Sequence, residues 1–305
     1  MRADAGFHPG ELAVQREAGV EGQAARLSQM TERAGLSRGM AGFLLDRTFL
    51  AVTGRAADGR LWISPLFGPP GFLEPRSATA LAVRAGFPVG DPLSQLAAGQ
   101  KLGMTTVEFG LRRRVRINGW LREATDEHLL VEVEQAYGNC PQYIQQRLLS
   151  FDGEQSPTRR STTLRPEDRE LIRAADTFFL GTINPAQGAD ASHRGGAPGF
   201  VRVDGNSLCW PDYPGNNLFN SLGNLAVNSE AALLFPDFAT GRTLQLSGTA
   251  SIEWGEAGRP GDDGYTGRLV RFAVREVAAG RAAVRQGELT PYPRNPALID
   301  EKGEL

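Results

Sequence analysis

The sequence predicts a mainly β protein of the α+β class, with two similar domains in tandem and flanking helices. Short apolar runs separated by turn residues dominate from Thr48 onward, which is typical of strands. The order of these runs recurs further along the chain at a nearly constant offset. A repeat of that length indicates two copies of a whole domain rather than a solenoid of small units.

The first 47 residues predict a helical arm instead of a sheet. Residues 11–18 and 21–34 are rich in Ala, Gln, Glu and Arg, and their apolar positions are sparse. This composition fits two helices, separated near Gly19, that pack on another part of the protein.

Strands and short helices are predicted from residue 48 to residue 151. The predicted strands are 49–53, 61–64, 78–84, 105–109, 114–121 and 129–135. A helix is predicted at 91–100, with Asp91 as its N-cap and Pro92 in its first position, and another at 142–149.

A polar, turn-rich stretch at 152–163 is the predicted linker to the second domain, in which Arg165-Pro166 opens a helix. A strand at 207–210 and a last strand at 268–277 follow, and the tail from Gly287 is predicted to be extended. The predicted organisation is a helical arm, a first and degenerate domain, a second domain that carries the ligand motif, and a C-terminal tail. Their bounds are 1–47, 48–151, 164–280 and 281–305.

Three anchors support the repeat. Residues 48–53 match 177–182 at an offset of 129, residues 64–72 match 192–200 at 128, and residues 113–119 match 242–248 at 129. Three anchors at nearly one offset indicate a common strand order in both domains.

The two copies differ at one functional-looking stretch. Where the second copy has Ser-His-Arg-Gly-Gly at 192–196, the first has Ser-Pro-Leu-Phe-Gly at 64–68, and it also lacks the Asn-rich segment 216–224. Arginine offers a planar fork of donors for phosphate, and glycine permits close backbone approach to a ligand. The alternative is a Gly-rich hairpin with an Asn-rich turn. Loss of the donors in one copy favours an anion site used once per chain.

Composition and motifs narrow the function. A net charge of −2 indicates no general attraction to nucleic acid or anionic membrane, and two cysteines cannot build a disulfide framework. A soluble cytoplasmic protein without a signal peptide or a membrane span is expected. The dinucleotide, P-loop and hydrolase-elbow signatures are absent, and three scattered histidines predict no metal site. The basic run 112–116 is interpreted as a solvated surface, or alternatively as the source of one phosphate contact.

Several pieces of the chain together carry a family resemblance. They include Phe7-His8-x-Gly10-Glu11 and Tyr137-Gly138-Asn139-Cys140-Pro141, and they lie at 7–15, 61–72, 137–145, 192–203, 210–216, 220–225 and 241–245. In combination they resemble the pyridoxamine 5′-phosphate oxidase-like, FMN-binding split β-barrel family, in its branch of flavin-nucleotide-binding proteins. The resemblance implies a split barrel in each copy, with FMN in a groove where two barrels meet.

The resemblance also implies site residues. Ser192, His193, Arg194, Gly195 and Gly196 would line the isoalloxazine and ribityl side of FMN. The phosphate would lie at Asn217, Ser221 and Asn224, and the matching piece 241–245 adds Arg242 and Gln245 as cofactor contacts. Relatives often use Lys or Arg in the phosphate segment, which is neutral here, so Arg194, Arg242 or an arginine of the first copy would have to reach the phosphate.

The function implied is an FMN-dependent oxidoreductase, in which hydride passes between flavin and an unidentified small molecule, with NAD(P)H as a possible donor. His193, as the catalytic candidate, would donate to a ring carbonyl or assist proton transfer, and a structural role is the alternative. The competing functions are a protein that binds, stores or senses a flavin or another planar cofactor without turnover, and a structural partner with a vestigial site. Relatives are usually homodimers, so a homodimer is expected.

Overall fold

The computed structural model describes residues 6–26 and 35–298, which form two antiparallel sheets and five helices. The helices are α1 (Pro9–Glu17), α2 (Glu21–Ala25), α3 (Arg38–Leu45), α4 (Pro166–Ala174) and α5 (Asn220–Val227). The strands before residue 140 are β1 (Phe49–Arg55), β2 (Leu61–Phe67), β3 (Leu73–Ser77), β4 (Ala80–Val83), β5 (Lys101–Glu108), β6 (Arg113–Ala124) and β7 (Leu129–Asn139). The later strands are β8 (Leu149–Ser161), β9 (Thr177–Asn184), β10 (Gly188–Gly195), β11 (Arg202–Asp204), β12 (Ser207–Pro211), β13 (Glu230–Pro236), β14 (Arg242–Trp254) and β15 (Arg268–Gln286).

The two sheets have the same strand order. The first runs β2-β1-β5-β6-β7-β4-β3, and the second runs β10-β9-β13-β14-β15-β12-β11, with β8 added beside β15. Even the irregularities correspond, because β6 has a bulge between Asn118 and Gly119 and β14 has one between Ser247 and Gly248. The predicted fold class, two tandem split β-barrels with flanking helices, is confirmed.

Each sheet encloses its own apolar core, and a third cluster joins the two. This third cluster combines Phe49 and Phe67 from the first sheet with Phe179 and Leu234 from the second. The sheets approach so closely that a Cβ on Gly103 would lie 2.3 Å from the backbone of Asp190. This close packing brings β6 of the first sheet beside β10 of the second.

The predicted linker 152–163 is wrong, because most of it belongs to strand β8. This strand pairs antiparallel with β15, from Val277 opposite Ser161 to Gln286 opposite Leu149. An edge strand keeps one side free of strand partners, so it tolerates the polar composition that resembled a loop. The last strand is correspondingly longer than the predicted 268–277. The domain bounds remain a proposal.

Two predicted helices are absent from the described residues. At 91–100 the Asp91 carboxylate accepts from the Leu93 backbone N–H (2.8 Å) and the Ser64 hydroxyl (2.7 Å), and turns follow instead of a helix. At 142–149 the chain makes a turn at Gln142 and Tyr143, whose φ of 62° is left-handed, and no helix forms. The buried side chain of Gln145 donates to the Gly196 carbonyl oxygen, and that of Arg147 donates to the Asp176 carboxylate. These bonds to distant residues compete with helix formation.

The N-terminal arm packs on α5. A Cβ on Gly10 would lie 2.1 Å from the carbonyl oxygen of Gly223, so the two helices touch through their backbones. The Glu11 carboxylate accepts from the Asn220 side chain (3.1 Å) and thereby holds the start of α5. Of the predicted helix 21–34, α2 covers the first part, and residues 27–34 lie outside the described residues. None of the described helices is long and apolar enough to cross a membrane.

Candidate anion-binding site between the two sheets

Basic side chains from both sheets meet at β6 and β10. Arg114 and Arg116 lie two positions apart on β6, so they share one face of the strand. The Arg114 guanidinium donates to His193 Nδ1 at 2.9 Å, and Arg116 donates to the Asp190 carboxylate at 3.1 and 3.2 Å. Both acceptors lie on β10. The first sheet therefore supplies cations to a site whose floor is the second sheet.

Two adjoining cavities lie at this junction. The first, of about 60 Å³, is lined by Arg116, Arg194 and the start of α5 from Asn220 to Leu222. The second, of about 80 Å³, is lined by Arg114, His193, Arg194 and Gly195, with Tyr143 and Tyr213 as aromatic walls. Arg116 and Arg194 line both cavities, so one ligand could extend across them.

Positive charge exceeds negative charge in this site. Arg116 pairs with Asp190, whereas Asp212 is shared between Arg194 (3.3 Å) and Arg268 (2.9 Å). Arg114 has no carboxylate partner among residues 6–26 and 35–298, and its other acceptor is the His193 carbonyl oxygen at 3.4 Å. An excess of guanidinium groups stabilises a bound anion.

The pKa shifts reflect this crowding. Burial, followed by the charges of Arg116 and Arg194, lowers the pKa of Arg114 to about 9. Burial and the neighbouring guanidiniums, Arg114 first, hold the pKa of His193 well below its usual value, so its ring is neutral. Since Arg114 donates to Nδ1, the ring proton lies on Nε2.

Several buried polar atoms of the site have no hydrogen-bond partner within the described part of the chain. They are the Nε atoms of Arg114, Arg116 and Arg194, His193 Nε2, Asn139 Nδ2 and the Tyr213 hydroxyl. Buried donors are normally satisfied by protein, water or ligand. Their concentration around two cavities marks a place where a ligand rich in acceptors would bind.

The residues predicted from the sequence are only partly brought together. His193, Arg194 and Gly195 line the second cavity, while Asn217 and Ser221 line the first. A Cβ on Gly195 would lie 2.0 Å from the Tyr143 carbonyl oxygen, which explains a glycine there.

The remaining predicted residues lie behind or away from the cavities. Ser192 is fully buried and accepts from the Ser221 hydroxyl (3.0 Å), which supports the floor of the site. Gly196 makes room for the Phe200 ring, and the buried Asn224 donates to Thr182 at 3.0 Å. None of these three lines either cavity.

Arg242 and Gln245 belong to other parts of the fold. Arg242 donates to the Glu167 carbonyl oxygen (3.2 Å) in a separate cleft. Gln245 is buried between the sheets, where it donates to the Ser64 hydroxyl at 2.6 Å. Both were expected to contact the cofactor because their segment matches the family, but β14 presents them to β2 and α4 instead.

The sequence interpretation missed most of the first-sheet contribution. Arg114 and Arg116 were assigned to a solvated surface, with a phosphate contact as the alternative. The structure places both side chains at the cavities, so the solvated surface is wrong for these two residues, and the phosphate contact stays a prediction. Asn139, Tyr143 and Tyr213 were also overlooked as lining residues, although all three lie in pieces that match the family. In the sequence, a basic strand and a second motif that resembles the family occur in the same domain. This combination could have indicated these residues.

Comparison with known proteins gives one family match. Residues 164–285 match the family model described as pyridoxamine 5′-phosphate oxidase. A search of curated proteins finds no match.

Similar solved structures each cover less than half of this chain. HupZ of Group A Streptococcus is 15% identical, with 37% of this chain and 91% of that chain covered and a TM-score of 0.30. A Clostridium acetobutylicum protein related to general stress protein 26 of B. subtilis (pyridoxinephosphate oxidase family) is 16% identical, with coverages of 40% and 92% and a TM-score of 0.30. An FAD-binding protein of Mesorhizobium loti is 12% identical, with coverages of 41% and 99% and a TM-score of 0.29.

Proposed function

We propose, on the premise that residues 164–285 belong to the pyridoxamine 5′-phosphate oxidase family, that this protein is an FMN-binding oxidoreductase. The observation that carries the proposal is the group of three guanidiniums and unpartnered donors around two connected cavities.

The donor set fits a flavin phosphate. In the first cavity Arg116 and Arg194 stand opposite the first turn of α5, and a helix N-terminus with two guanidiniums is a favourable phosphate environment. Tyr143 and Tyr213, with ring centroids 5.0 Å apart, offer flat apolar surface in the second cavity. When bound, the flavin supplies the hydride chemistry, and these residues orient it and exclude water.

The enclosed space is smaller than a whole flavin requires. Ligand pockets usually enclose about 300–1,000 Å³, whereas these cavities hold about 60 and 80 Å³. Binding therefore requires the loop between β12 and α5 to move. Phe219 in this loop has a φ of 59°, a left-handed conformation that costs a bulky residue energy and that a rearrangement would relieve.

His193 is better suited to positioning than to proton transfer. Its ring is buried and neutral, and its Nδ1 already accepts from Arg114. In this proposal His193 holds the Arg114 guanidinium in place, and this positioning role replaces the predicted catalytic one.

A flavin carrier or sensor is the second candidate function. The observation that favours it is the state of the acids: Asp190 and Asp212, the carboxylates nearest the cavities, are both ion-paired. Among the described residues, no carboxylate without an ion-pair partner lines either cavity. The use of NAD(P)H, a homodimer and a cytoplasmic location remain predictions.

The test is an absorption spectrum of the purified protein, followed by FMN titration and anaerobic NADPH addition. Arg194→Ala should weaken FMN binding at least tenfold, because it removes a guanidinium common to both cavities. Bleaching of bound flavin with repeated turnover supports the oxidoreductase, whereas bound flavin without turnover supports the carrier. A protein that takes up no FMN contradicts both.

A further inference from the structure

A groove separate from the two cavities lies between α3 and the start of β6. It has a volume of about 500 Å³, and its apolar wall comes from Met40 and Phe43 of α3 and from Leu111, which is 67% exposed. This volume is within the range of small-molecule sites. The groove shares two lining residues, Arg114 and Asn139, with the second cavity.

The rim of this groove is cationic. Arg113 is exposed, and within the described chain it makes no ion pair; its guanidinium lies 5.3 Å from the centre of the Phe43 ring. Arg112 donates to the carbonyl oxygens of Ile144 (3.0 Å) and Pro291 (3.2 Å), so its charge is not neutralised by a carboxylate. None of the residues that line the groove is acidic.

Arg114 separates the groove from the second cavity. Its charge is not neutralised by a carboxylate there either, and the proposed flavin phosphate is served by Arg116 and Arg194 in the other cavity. A guanidinium held at this boundary by His193 is therefore available to an anionic group that enters from the groove.

We propose that this groove is a second ligand site, distinct from the proposed flavin site, and that it takes a small anion with an apolar or aromatic body. The charge of the molecule faces Arg113 and Arg114, while its body packs on Phe43 and Leu111. The surplus of cations over carboxylates favours a carboxylate, sulfonate or phosphate over a neutral molecule of the same shape.

The experiment compares two fluorescent probes with the same ring system on the full chain, with and without excess FMN. Anilinonaphthalene sulfonate carries the negative charge, and phenylnaphthylamine lacks it. Arg113→Ala should weaken binding of the sulfonate about fivefold and leave binding of the neutral probe unchanged. Arg275→Ala, which removes an exposed arginine of β15 outside the groove, should leave both affinities unchanged.

The outcomes separate the groove from the flavin site. Equal effects of Arg113→Ala on both probes, or no effect on either, would overturn the proposal, as would displacement of the sulfonate by FMN. If the protein binds no FMN, the flavin function fails, yet the two probes on the flavin-free protein still report whether the groove selects an anion.

Discussion

Glu11→Gln should remove a pH dependence from the stability of the fold. Glu11 on α1 is only 6% exposed, and its carboxyl group accepts from the His8 backbone N–H (2.8 Å) and from the Asn220 side chain (3.1 Å). Burial, helped by the nearby Asp190 carboxylate, raises the pKa of Glu11 from 4.5 to about 7 in spite of these bonds.

The size of the effect follows from this shift. Between the unfolded and folded pKa values the folded chain binds more protons, so the stability falls as the pH rises through this window. From about pH 5 to about pH 8 the wild type should lose about 2–3 kcal/mol of unfolding free energy through this one group. Glutamine keeps one acceptor oxygen and cannot ionise, so the variant does not suffer this loss.

Urea denaturation at several pH values in that range measures the difference in unfolding free energy between variant and wild type. The difference should rise in favour of Glu11→Gln as the pH increases. Glu17→Gln, an exposed position on the same helix, provides the control and should give a flat difference. A flat difference for Glu11→Gln as well would refute the reasoning.

Three further predictions follow from the packing. Arg242→Ala should leave the FMN affinity unchanged in a titration, because the Arg242 guanidinium bonds to the Glu167 carbonyl oxygen in another cleft. A tenfold loss of FMN affinity would contradict this and would assign Arg242 to the site. Gly195→Ala should cost about 1–3 kcal/mol in urea denaturation, since its Cβ would collide with the Tyr143 carbonyl oxygen, and an unchanged stability would show that the backbone adapts. Burial raises the pKa of Asp91 to about 6, so Asp91→Asn should gain stability relative to the wild type as the pH rises from about 4 to about 6, and parallel pH profiles would contradict this.

The strand frame could be predicted because it depends on local patterns. Every predicted strand between residues 48 and 135 is present, and most extend beyond their predicted ends. Strand β3 is also present but was not predicted from the sequence. It contains Pro75, and only Leu73 in it is fully buried. The fold class was also predictable, since the constant offset of the repeat indicates the same strand order in both domains.

The site was only half predictable because it depends on contacts between distant residues. The segment 192–196 points to His193, Arg194 and Gly195 through chemistry that is visible in the sequence, and the structure places these three residues at the second cavity. The contact of His193 with Arg114 joins residues 79 positions apart on different sheets. No local pattern reports which face of β6 meets the second sheet, so a basic strand was assigned to solvent.

Both walls of the site come from one polypeptide, and this has a consequence for divergence. Two identical chains related by a two-fold axis form such a junction twice, with the same residues at both copies. Within one chain each wall can change alone: the β14 positions that correspond to Arg114 and Arg116 hold Thr243 and Gln245, and β8 covers the opposite junction, where Gln155 donates to the Pro65 carbonyl oxygen. The two junctions of this chain therefore differ: guanidinium groups line one, and packing closes the other.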